Sequence, residues 1–186
     1  MFTAKITGLG KCLPKKVVSN FDLEKMMDTS DEWIRQRSGI IERRWAQPGE
    51  TTASMGYEAA LGALKDAGRT ANDVDAIIFA TITPDYYFPG CAVMVQEKLC
   101  PDRYVAALDI RNQCSAFVYA TSVADAWIRT GQYKCVLVIG GEVQTTGMDL
   151  SPEGRDVGVL FGDGAGAVLM EQCKPGETGF KLHKLH

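Results

Sequence analysis

Five short runs, AKITGLG, AIIFATIT, YVAALDI, CVLVIGG and GAVLME, constrain this chain most. The middle ones are apolar at nearly every position, as strands buried on both faces must be, and such strands belong to a mostly parallel sheet. Helical patterns lie between them. Ala53, Tyr57, Ala60, Leu64 and Ala67 trace one helix face that Gly68 can end, with Thr51 or Thr52 as its cap. Pro89 suits the first turn of a second helix, along which Ala92, Val93, Gln96 and Leu99 share a side. A third helix is expected after Cys114, with Phe117, Thr121, Ala124 and Ile128 on one face and Gly131 behind it. Its further apolar residues, Val118, Val123 and Trp127, lie on other sides, which predicts a helix covered all round. Strand and helix alternate, so the class is α/β: a mixed, mostly parallel five-stranded sheet with helices on both faces.

The chain has 186 residues, 46% of them hydrophobic and 23% charged, which is ample for a packed core and wrong for a disordered chain. A net charge of −3, with basic residues dispersed apart from Arg35, Arg37, Arg43 and Arg44, argues against a nucleic-acid partner and for a local anion site rather than a whole basic face. The six cysteines show no C-x-x-C spacing and have only two histidines for company, so a zinc site is not expected. Cys135, inside an apolar run, reads as a core residue. With no secretory leader and no apolar run near the ~18 residues of a membrane span, the reading is a soluble, cytoplasmic chain with reduced thiols and no membrane partner.

Three motifs carry possible chemistry. The glycines of LFGDGAGAVLM invite a dinucleotide reading, but that motif needs a strand before and a helix after; here a strand follows, and Gly162, Gly164 and Gly166 are expected to form a tight hairpin turn. In TSDEWIRQRSGI, Thr29 or Ser30 caps a helix on which Trp33 and Arg37, four apart, share a face. They can hold a flat ring and a phosphate, or they can be a packed tryptophan beside a solvated arginine. Cys114 stands where a strand gives way to a helix, so the helix dipole can lower its thiol pKa and its N–H can serve an oxyanion. Apolar burial would instead leave it inert.

TSDEWIRQRSGIIERR, CSAF at the strand-to-helix junction, and FGDGAGAV together, in this order and spacing, resemble the β-ketoacyl-acyl-carrier-protein synthase III family of the thiolase superfamily. The resemblance covers about residues 6–171 and corresponds to the family's N-terminal half, so residues 1–171 are expected to form a thiolase-like domain and 172–186 a linker or tail toward an absent C-terminal half. It implies that Cys114 is the nucleophile that accepts an acyl group from acyl-CoA. Trp33 and Arg155 would stack on the adenine of CoA, Arg37 would meet its nucleotide portion, and Phe88 would reach across a homodimer to line the partner's acyl pocket. Acyl-CoA and acyl-carrier protein would be the partners, with no cofactor, since acyl-CoA is itself a substrate. Two departures bear on acyl preference: RNQ before Cys114, where many relatives carry small residues, and Ala116, where glycine is common. The family's catalytic histidine and asparagine lie in its C-terminal half; His183 and His186 are expected to be surface residues. Other readings are a condensing enzyme of quinolone, polyketide or hydrocarbon synthesis, or a non-catalytic dimerisation module.

Overall fold

The computed structural model describes residues 2–179; His183 and His186 lie outside them. The elements are β1 (Ala4–Cys12), β2 (Lys16–Ser19), α1 (Asn20–Leu23), α2 (Asp31–Ser38), β3 (Glu42–Trp45), α3 (Thr52–Asp66), β4 (Ala76–Ala80), α4 (Cys91–Leu99), β5 (Ala106–Ile110), α5 (Ala116–Thr130), β6 (Cys135–Glu142), α6 (Arg155–Gly158) and β7 (Gly164–Gln172). The described residues divide into two compact units, one of residues 2–12, 52–142 and 165–179, the other of 13–51 and 143–164.

The first unit holds the expected mixed five-stranded sheet, in the order β1-β7-β6-β4-β5, with β4 parallel to both β5 and β6 and β1 antiparallel to β7. Alternation along the strands sends side chains to two covered faces. Ile78, Val136 and Val138 pack with Ala116, Ala120, Ala124 and Ile128 of α5. Phe79 and Ile139 point the other way, toward Gly56 of α3, where any Cβ would run into the Phe79 ring. The close approach of β1 to α3 has the same cause: a Cβ on Gly10 would overlap the Ala59 carbonyl oxygen. Burying Phe79, with no exposed surface, contributes roughly 2–3 kcal/mol.

Several expectations shift. YVAALDI is not buried on both faces: among the described residues β5 is the sheet edge, paired with β4 alone, and Leu108 and Asp109 are exposed. Pro89 precedes the helix rather than opening it; Gly90, at φ +101°, is the cap of α4 and α4 starts at Cys91. The buried stripe of α5 is Ala116, Ala120, Ala124 and Ile128, one residue off the expected face at its start. Val118 and Tyr119 are exposed, so within this chain α5 is covered on one side. The hairpin expected at Gly162–Gly166 is absent, since the turn of helix α6, not a strand, precedes β7, and β7 pairs with β1. The strand that follows the glycines also excludes the dinucleotide arrangement, as expected.

The second unit was the least legible. It contains a two-stranded antiparallel β2–β3 sheet and a small core of Val18, Leu23, Met27, Ile34, Trp45 and Val159. A polar network supplements that core. Buried Arg43 donates to Asn20 Oδ1 (2.8 Å) and to the Val18 and Val159 carbonyls, while fully buried Asn20 donates to Asp31 Oδ1 (2.8 Å) and to the Ile40 carbonyl.

Candidate functional site

Cys114 lies in the middle of a single 3-10 turn, Gln113–Ser115, that runs directly into α5. The expected place on the first turn of the long helix is therefore adjusted by two residues. Gln113 has φ +46°, an uncommon conformation for a residue with a side chain, and Ser115 braces the turn by donating to the Asn112 carbonyl (3.0 Å) and accepting from Asn112 Nδ2 (3.0 Å). The turn follows β5, whose last residue Ile110 pairs with Ala80 of β4, which pairs with Gly140 of β6. Cys114 thus stands at the carboxyl end of three parallel strands, where open α/β sheets place their ligands. It is exposed, whereas Cys91, Cys100 and Cys135 are buried and all six cysteines are free thiols. Burial pushes the Cys91 and Cys135 thiols up to about 12, as a core role for Cys135 requires.

Around that sheet end lie carboxylates that the sequence reading passed over. Glu142, ending β6, accepts from Ile82 N (2.9 Å) and Thr83 N (3.0 Å) and from the hydroxyls of Thr81 and Thr83. Asp85 accepts from Thr52 N (2.8 Å) and Ala53 N (3.0 Å) at the start of α3, and Asp109 from Cys91 N (2.6 Å) and Ala92 N (2.7 Å) at the start of α4. Three anchors therefore fix the 81–91 segment, and between them Tyr86, Tyr87 and Phe88 are 63%, 82% and 90% exposed. An acid inside an apolar run, as in AALDI, was the available signal.

In the second unit Ser30 caps α2 by accepting from Trp33 N (3.1 Å), and Gly39, left-handed, ends it. The expected sharing of a face is realised closely. The Arg37 guanidinium carbon lies 4.3 Å from the Trp33 ring centre, and that of Arg155, from α6, lies 4.5 Å from it. Cation–π attraction favours both. A cavity of about 360 Å³ adjoins them, lined by Trp33, Ile34, Arg37, Asp156, Val159 and Leu160. Arg35 pairs with Asp31 (2.7 Å) and, ahead of the Asn20 hydrogen bond, holds the Asp31 carboxyl below its ordinary range. Asp163, in the FGDG motif and buried, accepts from Ala46 N (2.7 Å), Thr145 N (3.0 Å) and the Thr145 hydroxyl (2.5 Å). The motif thus staples loops together rather than merely turning the chain. Trp33, Arg37 and Arg155 are brought together in the second unit; Cys114 and Phe88 belong to the first.

Among the described residues no helix is long and apolar enough to cross a membrane, and no three His, Cys, Asp or Glu residues are grouped to hold a metal ion.

Residues 108–186 match the family described as 3-oxoacyl-[acyl-carrier-protein (ACP)] synthase III. The whole chain is 47% identical to a β-ketoacyl-[acyl-carrier-protein] synthase III of Thioalkalivibrio sulfidiphilus, covering 56% of it. Over 173 residues it is 51% identical to that of Geobacillus kaustophilus, covering 93% of this chain and 55% of the relative. By sequence the chain resembles the N-terminal portion of β-ketoacyl-acyl-carrier-protein synthase III proteins. It spans about half the length of the curated synthase III relatives it matches. The fold is theirs too: the synthase III structure from Aquifex aeolicus superposes with TM-score 0.88 at 47% identity, over 92% of this chain and 54% of that one. The priming β-ketosynthase of the R1128 polyketide pathway gives the same TM-score at 32% identity, over 92% of this chain and 51% of that one. The sheet order and flanking helices are accordingly those of a thiolase-like half.

Proposed function

We propose that this chain supplies the acyl-CoA-binding and acylation part of a 3-oxoacyl-acyl-carrier-protein synthase III. The observation that carries the proposal is the exposed Cys114 in its braced turn at the carboxyl end of the parallel strands. The Cys114 thiolate attacks the thioester carbon of acyl-CoA, a bond forms from Sγ to that carbon, the carbonyl electrons return and the CoA thiolate leaves, taking up a proton. Main-chain N–H groups of the turn and the first residues of α5 are the donors we assign to the oxyanion. Trp33, Arg37 and Arg155 are assigned to the nucleotide end of CoA, where two guanidinium groups suit phosphate and an indole suits a base. Decarboxylative condensation with malonyl-acyl-carrier protein would follow. It would draw on a histidine and an asparagine from the part of the relatives that this chain does not cover, toward which residues 172–186 would lead. Phe88, held out by its three anchors, would line the acyl pocket of a partner subunit in a homodimer. No cofactor enters this scheme, and a cytoplasmic location belongs to it.

A second reading has one observation in its favour, the TM-score of 0.88 to a polyketide priming ketosynthase. It keeps the Cys114 step and changes the acyl group and acceptor.

Incubation with acetyl-CoA followed by intact-mass and peptide analysis tests the shared step. The expected result is a gain of one acetyl group on Cys114, absent in Cys114→Ser. Acetylation elsewhere, or none, removes the proposal. Competition between acetyl-CoA and longer or branched acyl-CoAs then separates the two readings.

A further inference from the structure

Sandwiching a flat ring between an indole and a guanidinium takes two stacked layers, about 7–8 Å in all. Arg37 and Arg155 lie 4.3 and 4.5 Å from the Trp33 ring centre, which is one layer each. Both cations stack on the indole itself. A base can lie between Trp33 and Arg155 only after that guanidinium has lifted away.

What holds the two arginines differs. Arg37 rides on the same helix as Trp33 and has no ion pair among the described residues. Arg155 is tethered across the unit: its Nη1 donates to the Asp28 main-chain oxygen at 2.7 Å and to the Asp28 carboxylate at 3.3 Å. The Asp28 side chain is otherwise in water, 90% exposed. We propose that Asp28 is a positioning residue of the clamp, keeping the Arg155 guanidinium on Trp33 until a flat, phosphate-bearing ligand displaces it. This rests on the assignment of Trp33, Arg37 and Arg155 to the nucleotide end of CoA. Asp28 opposes such a ligand twice: its carboxylate competes for the guanidinium, and its charge repels the incoming phosphates. Both effects have the same sign, so removing the carboxylate should tighten binding. The gain is modest because the main-chain contact survives substitution and an exposed ion pair is weak, which sets the expectation at about two- to fivefold.

The test compares Asp28→Ala and Asp28→Asn with the unsubstituted protein by two readouts, and equal melting temperatures confirm that the fold is intact. The first is the indole N–H signal of Trp33 in a proton–nitrogen correlation spectrum without added CoA, assigned by its loss in Trp33→Phe. The second is CoA affinity by calorimetry at low ionic strength. Asp28→Ala should move the Trp33 signal and bind CoA about two- to fivefold tighter. An unmoved indole signal overturns the tether. Weaker CoA binding overturns it too, since the carboxylate would then be holding Arg155 in the posture the ligand uses. If the unsubstituted protein does not bind CoA, the nucleotide assignment fails, and the indole signal by itself still decides whether Asp28 holds Arg155 on the ring.

Discussion

The sheet unit and the clamp unit solve the same problem by different means. In the first, Ile77, Ile78, Phe79, Leu137, Val138 and Ile139 are wholly buried and make contact through shape, so stability comes from apolar area and close packing. In the second the apolar core is small, and buried Arg43, Asn20 and Asp163 cross-link segments from distant parts of the chain. The difference follows from what each unit presents. The clamp proposed for the second unit would need cations and an indole at the surface, and the loops that carry them bury backbone groups that must find polar partners. Satisfaction there is incomplete at three described buried side-chain atoms, Thr29 Oγ1, Arg43 Nε and Trp45 Nε1, and burial keeps Arg43 below its ordinary pKa. Apolar packing tolerates no change of volume; a polar network tolerates no change of valence.

The strongest way to press this contrast is Phe79→Ala. It removes a ring that fits against Gly56 and Gly141 and should cost about 3–5 kcal/mol, visible as a lowered denaturation midpoint. Fluorescence of Trp127, packed on the sheet, is the probe. Asn20→Ala is the counterpart in the clamp unit. It takes one partner from each of Arg43 Nη2, Asp31 Oδ1 and the Ile40 carbonyl, the first two keeping Val159 O and Arg35 Nε, for about 1–3 kcal/mol, followed through Trp45. A cost for Asn20→Ala as large as that for Phe79→Ala would erase the distinction between an area-stabilised and a valence-stabilised unit. Smaller again is Arg155→Ala. Its side chain contacts Trp33 and Asp28 at a partly exposed site, so stability should hold while, in the acylation proposed for Cys114, KM for acyl-CoA rises about tenfold at little cost to kcat. A collapsed kcat with an unchanged KM would place Arg155 in the chemistry or the scaffold instead of the clamp.

Legibility in the sequence divides along the same line. The strands CVLVIGG and AIIFATIT were plain because a buried parallel strand announces itself in a few consecutive residues. The Thr29–Ser30 pair marked the start of α2 for a similar reason, since Ser30 accepts from Trp33 N only three residues on. Arg155 on Trp33, Asp163 on Ala46 and Arg43 on Val159 join residues more than a hundred positions apart, and no local pattern encodes such a pairing. Trp33 and Arg37 were suggested by helical spacing; Arg155 and Phe88 entered through family resemblance alone. The misplacement of Pro89 has a further cause. Caps supplied by a remote carboxylate, such as Asp109 at the start of α4, leave no mark beside the helix they cap.

The smallest expected effect concerns pH and tests whether the clamp unit's polar contacts behave as valence in solution. Asp22 closes a capping box at α1: its carboxylate accepts from Ser19 N (3.0 Å) and the Ser19 hydroxyl (2.6 Å), while Asp22 N donates to Ser19 Oγ (3.2 Å). The Ser19 hydroxyl, then the Ser19 N–H, then Lys25 pull the Asp22 carboxyl down to about 2 from an ordinary 3.8. A carboxyl depressed on folding stabilises the folded state only while ionised, so its contribution is whole above pH 3.8 and fades as pH falls toward 2. The site is exposed, which keeps the contribution small and sensitive to salt. In a carboxyl-detected titration Asp22 should therefore titrate near 2, with the Ser19 amide signal moving along the same curve as its acceptor is protonated. Asp22→Asn should flatten that Ser19 response and leave the Phe79-side core unaffected. An ordinary midpoint near 3.8 would mean that the box is open in solution, and the hydrogen bonds of the second unit would then count for less than the packing of the first.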